Sequence, residues 1–113
     1  MIIQNKNIKM VRGDSETLTY ENINAETGEQ VALVTGDTVY FTVKTNYQTA
    51  DKSLQKVVTT FTDGKASISI LPTDTKIMPF GQYVYDVQVT FANGQVKTPV
   101  VGAFTLLNEV TYE

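Results

Sequence analysis

Apolar and polar residues alternate with a period of two along most of the chain. That period places successive side chains on opposite faces of an extended strand. Over residues 15–22, Leu18 and Tyr20 share one face, and Thr17, Thr19 and Glu21 the other. Over 37–45, Val39, Phe41 and Val43 alternate with Thr38, Thr42 and Lys44. Residues 54–61 are rich in β-branched side chains and predict a further strand. Ala66, Ile68 and Ile70 then alternate with Lys65, Ser67 and Ser69. The strongest alternation sets Tyr83, Tyr85, Val87, Val89 and Phe91 against Val84, Asp86, Gln88 and Thr90. A short strand is expected over 7–11 and a long final one over 96–107. No long window repeats apolar residues at helical spacing, so amphipathic helices are not expected.

Turn chemistry separates these runs. Residues 25–29 read as a turn, and 46–53 as a polar loop. Asp63-Gly64 predicts a hairpin turn, and Asn93-Gly94 a type I′ turn with positive φ at both residues. Pro72 at a first helical position, Thr73 and Asp74 beside it, and Pro79 beyond predict one helical turn over 72–78. About seven short strands joined by such signals indicate an all-β fold, a two-sheet antiparallel β-sandwich. A small closed barrel is the alternative. The length suits one domain over 1–113, with 1–6 as an arm and 108–113 as a tail.

The final strand departs from the pattern. Val96, Thr98, Val100, Gly102, Phe104 and Leu106 are expected on one side. Val101, Ala103 and Leu107 fall on the other, where a solvated sheet should be polar. Pro99 has no N–H and favours an edge. An edge strand apolar on both faces needs a cover. Either Ile2, Ile3 and Ile8 fold over it, or Pro99, Val101, Ala103 and Leu107 form a subunit contact.

Composition removes whole classes of chemistry. The 113 residues include no His, Cys or Trp. Imidazole bases, thiolate nucleophiles, disulfides and zinc knuckles are therefore absent. Nine basic residues against twelve acidic ones give a net charge of −3. The basic residues are scattered from Lys6 to Lys97, which argues against a nucleic-acid partner. The N-terminus lacks a signal-peptide core, and no stretch approaches the ~18 apolar residues of a membrane span. The expected place of synthesis is the cytoplasm.

Candidate chemistry is thin. Arg12-Gly13-Asp14 spells an integrin-type tripeptide, but Gly-Asp between strands is also an ordinary turn. Asp14, Glu16, Glu21, Asp37, Asp63, Asp74 and Asp86 are singly placed, without the pairing that glycoside hydrolysis needs. No calcium-loop, nucleophile-elbow or phosphate-loop pattern occurs. The reading is no enzyme, no cofactor and no metal. Tyr20, Tyr40, Tyr47 and Tyr112 could form a sugar platform.

Two resemblances add to this. The run from Leu71 to Val87 resembles the E–F corner of immunoglobulin-like domains, with Asp74 opening a short turn and Gly81 preceding Tyr83. That resemblance implies a Tyr83 hydroxyl bonded back to the corner backbone, and Tyr85 where antibody domains place a cysteine. The whole chain is also similar to small structural proteins of tailed phages and prophages of Gram-positive bacteria. The residues concerned are Arg12 to Leu18, the Gly-Asp-Thr-Val-Tyr-Phe-Thr-Val-Lys stretch of 36–44, the Asp74 to Val87 block, Gly94 to Thr98, Gly102-Ala103-Phe104 and Glu109-Val110-Thr111. In particular it resembles the N-terminal immunoglobulin-like domain of upper baseplate proteins. The resemblance implies a non-catalytic virion protein, in the tail or baseplate, whose partners are other virion proteins, with further copies of itself as a candidate partner. It would stay in the host cytoplasm during assembly and end in the virion. A carbohydrate-binding or adhesion module using Tyr47 and Asp51 is the alternative.

Overall fold

The computed structural model describes residues 2, 3, 7–24 and 26–109. They form β1 (Ile2–Ile3), β2 (Ile8–Val11), β3 (Glu16–Glu21), β4 (Thr38–Lys44), β5 (Leu54–Val58), β6 (Lys65–Ile70), α1 (Pro72–Lys76), β7 (Gly81–Thr90) and β8 (Val96–Leu107). The fold is mostly β. A larger, curled sheet has the order β2-β8-β7-β4-β5, and a smaller one the order β1-β3-β6.

Alternation explains which faces meet. Leu18, Phe41, Ile68, Tyr85, Val87 and Phe104 all lie at inward positions and are essentially inaccessible to solvent. The inward rows of both sheets merge into a single core. Its aromatic centre is Phe41, whose ring lies 5.5 Å from Tyr85 and 6.2 Å from Phe104. Tilted and edge-on contacts of this kind suit the ring quadrupole.

Several expectations are corrected. The described strands number eight rather than about seven. The sheets are mixed rather than antiparallel, since β1 runs parallel to β3 and β2 parallel to β8. The cause lies in the first dozen residues, which supply one short strand to each sheet: β2 is the strand expected over 7–11, and β1 is too short for a period-two signal. The Asp63-Gly64 turn forms, with φ of 54° and 74°. It does not join a hairpin within one sheet. β5 ends at Val58 in the larger sheet and β6 belongs to the smaller, so residues 59–61 cross between them. At the β7–β8 connection Gly94 has φ 90°, while Asn93 stays at negative φ. The Phe91 N–H donates to the Gln95 carbonyl and the Gly94 N–H to the Phe91 carbonyl, both at 2.8 Å. This is a three-residue loop with Gly in the left-handed position rather than a type I′ turn.

Candidate interaction surface

Strand β8 behaves differently along its length. β2 covers its edge only from Phe104 to Leu107. Just before that, Asn7 Oδ1 accepts the Ala103 N–H at 3.1 Å. Among the described residues, 96–102 have no strand on that side. The expectation of an edge strand therefore holds for the first half alone, and Ile8 lies in the strand that covers the second. Ile3 is buried too, but it pairs with Tyr20 in the smaller sheet.

A register shift changes the expected faces as well. Val87 stands opposite Val100, and Val89 opposite Lys97, so three steps in β8 match two in β7. Pro99 lies within that bulge, where a missing N–H costs no ladder bond. Beyond it the faces exchange. Lys97 shares the inward side with Val89, and Val96, opposite Thr90, turns outward. Val96 and Thr98 therefore do not continue the Val100, Phe104 and Leu106 row. The outward row holds Val96, Val101, Ala103, Thr105 and Leu107, and Val96, Val101 and Leu107 are 54%, 45% and 44% exposed. Val84 lies opposite Ala103 and Val11 opposite Leu107, while Asp86 stands opposite Val101 and Thr105 lies between Gln82 and Lys9, so polar side chains interrupt the apolar positions.

The corner residues hold the strand ends together. The Tyr83 hydroxyl donates to the Pro79 carbonyl at 2.6 Å. Gly81 opens β7 at φ 146°. Asp74 accepts the Leu71 N–H at 2.7 Å and an ion pair from Lys56 at 2.8 Å. Partial burial pushes the Asp74 carboxyl up, but the bonds from Lys56 and Leu71 outweigh it and hold it below the usual carboxylate range. Tyr85 lies in the core, where burial pushes its phenol up to about 12.

No local spacing announces the cross-links made to this corner. Buried Thr75 accepts the Gly13 N–H at 2.8 Å. Arg12 pairs with Glu109 at 2.8 Å and donates to the Met78 carbonyl at 3.4 Å. The Arg12-Gly13-Asp14 tripeptide is thus part of a structural junction, and its arginine is already paired. Leu71, Ile77 and Phe80 surround α1 with exposed apolar surface, Ile77 at 83%. Only their tertiary setting reveals this, because their spacing resembles that of buried residues.

The opposite end is more open. Ile23, Val31, Val34, Phe91 and Pro99 help line a groove of about 810 Å³ between the 22–37 connection and the start of β8. Asp37 is buried. Its carboxylate accepts the Val34 N–H at 3.0 Å and the Ala92 N–H at 2.9 Å. No periodicity marks this role, since the two donors are distant in sequence.

The remaining candidates are dispersed. Tyr20 is buried, and burial pushes its phenol up to about 12. Tyr40 faces outward from β4, Tyr47 and Asp51 lie in the exposed 46–53 loop, and Tyr112 lies outside the described residues. Tyr20, buried in the core, and Tyr40 and Tyr47, on a strand and a loop, do not form one platform. Residues 1, 4–6 and 110–113 of the expected arm and tail are likewise outside them. Among the described residues no three His, Cys, Asp or Glu side chains are grouped as metal ligands. Among the described residues no helix is long and apolar enough to cross a membrane. No protein-family model matches the chain, and no curated protein matches it.

Proposed function

We propose that this chain is an immunoglobulin-like β-sandwich without catalytic activity, a structural protein of a phage or prophage particle associated with its tail or baseplate. It binds other virion proteins, and further copies of itself, and not nucleic acid or membrane. Two sheets around one core and the Tyr83–Pro79 bond support the immunoglobulin-like reading.

The observation that carries the contact is the outward row of β8, where Val96, Val101, Ala103 and Leu107, interrupted by Thr105, stand on a sheet face that should be polar. Exposed apolar surface rimmed by polar residues marks association sites. The contact uses side chains on the face rather than backbone at the edge. The Pro99 bulge interrupts the free edge, and Asn7 caps it at Ala103, so strand addition is disfavoured.

The test is to purify particles after prophage induction and search them for this protein by mass spectrometry, with the neighbouring genes read alongside. The reading expects the protein in the particles and tail or capsid genes beside it. A protein absent from particles, and monomeric at high concentration, contradicts it.

A further inference from the structure

The outward face of the larger sheet changes character across its width. Around β8 it carries Val96, Val101, Ala103 and Leu107, interrupted by Thr105. Across β4, β5 and β7 the register sets polar residues side by side. Gln55 stands opposite Thr42, and Thr42 opposite Asp86. In the next row Tyr40 stands between Val57 and Gln88. With Lys44 and Lys52 at its border, this region forms a shallow depression of about 280 Å³.

Its polar groups are largely unspent. Asp86 is half-buried, and among the described residues it makes no hydrogen bond and no ion pair, with Lys44 acting on it only through its field. Burial raises its proton affinity, and the Lys44 charge offsets this only in part. The Gln88 amide and the Tyr40 hydroxyl also lack internal partners among the described residues. Gln55 donates one N–H to Thr42 Oγ1 at 3.1 Å, which leaves its carbonyl available. A rigid sheet therefore presents acceptors, donors and an aromatic ring within one small depression.

We propose that this depression binds a neutral saccharide. A carboxylate beside amide groups suits vicinal hydroxyls, each of which donates and accepts. The Tyr40 ring offers apolar surface to the C–H face of a pyranose. A phosphate or sulfate would meet the Asp86 carboxylate in the middle of the site. A purely apolar ligand would leave the polar groups buried and unpaired. The volume lies just below the ~300–1,000 Å³ of drug-sized sites, which favours a single sugar residue over a long chain.

The test is titration of the intact isotope-labelled protein with cellotriose, maltotriose and triacetylchitotriose, followed by amide NMR. At least one sugar should shift the amides of 40–44, 55 and 84–88 saturably, with Kd near ~1 mM. Asp86→Asn, which keeps the side-chain shape, and Tyr40→Ala should each weaken that binding about tenfold with spectra otherwise native. The proposal is overturned if none of the three sugars shifts these amides at ~10 mM, or if both variants bind as well as wild type. Saturable binding of inorganic phosphate at the same amides also overturns it. Attachment through β8 is independent of every one of these outcomes.

Discussion

The two ends of the molecule are held in opposite ways. At the α1 end the strand termini are joined by several bonds at once: Arg12 to Glu109 and Met78, Gly13 to Thr75, Tyr83 to Pro79, and Asp74 to Leu71 and Lys56. At the other end the 22–37 connection reaches the start of β6 through Leu33 and Gln30. It reaches the β7–β8 turn through the Asp37 carboxylate. Redundant bonding lets one end lose a group and keep its shape. A single buried carboxylate serving two N–H groups gives the other end no such reserve. The same contrast appears on the surface, where the pinned end displays Ile77 and Phe80 on a fixed corner and the open end surrounds a groove.

Asp37→Ala should produce the largest effect, because it removes a buried carboxylate that serves two N–H groups and ties the 22–37 connection to the β7–β8 turn. The expected loss is about 3 kcal/mol by urea unfolding, with faster hydrogen exchange at Val34 and Ala92. Equal destabilisation spread over both ends would erase the contrast. Thr75→Val keeps the side-chain shape but leaves the Gly13 N–H without its acceptor, and should cost about 2 kcal/mol. Tyr83→Phe removes one bond while its neighbours remain, and should cost about 1 kcal/mol. A Tyr83 effect larger than that of Asp37 would reverse the ranking of the two ends.

Acid should test the Asp74 bonds. Its folded pKa is depressed, so its contribution is fully present above the unfolded value of about 3.9 and is lost as pH falls through the folded one. Asp74→Asn should therefore flatten the decline in stability between about pH 5 and 3, as read from urea midpoints. An unchanged slope would remove Asp74 from the pinned end. The smallest effect on stability belongs to Val101→Glu, which lies outside both ends and should stay within about 0.5 kcal/mol of wild type.

Strand identity and inward faces were legible because alternation reports burial directly. Leu18, Tyr20, Val39, Phe41, Val43, Tyr85 and Val87 are all buried where the pattern put them. Pairing partners were less legible. Asp63-Gly64 specifies a local turn, but core packing decides that β5 and β6 join different sheets. The Pro99 bulge was hidden for a related reason. One extra residue exchanges faces without altering local composition, and so Val96 turned outward against expectation. Arg12–Glu109 and the Asp37–Ala92 bond connect residues far apart in the chain, and no local spacing encodes them. For the candidate surface, Pro99, Val101, Ala103 and Leu107 stood out because they are apolar where alternation calls for polarity. Leu71, Ile77 and Phe80 did not, since their exposure depends on the corner being built first.

Attachment through the outward row of β8 is tested most directly by incorporation into particles. Val101→Glu and Leu107→Glu protein would be supplied during particle assembly, with Ser67→Glu on the polar face of the smaller sheet as the control. The account predicts that Ser67→Glu is incorporated like wild type, and that the two β8 variants melt as folded proteins yet are missing from purified particles. Incorporation of both β8 variants at the wild-type level would contradict it.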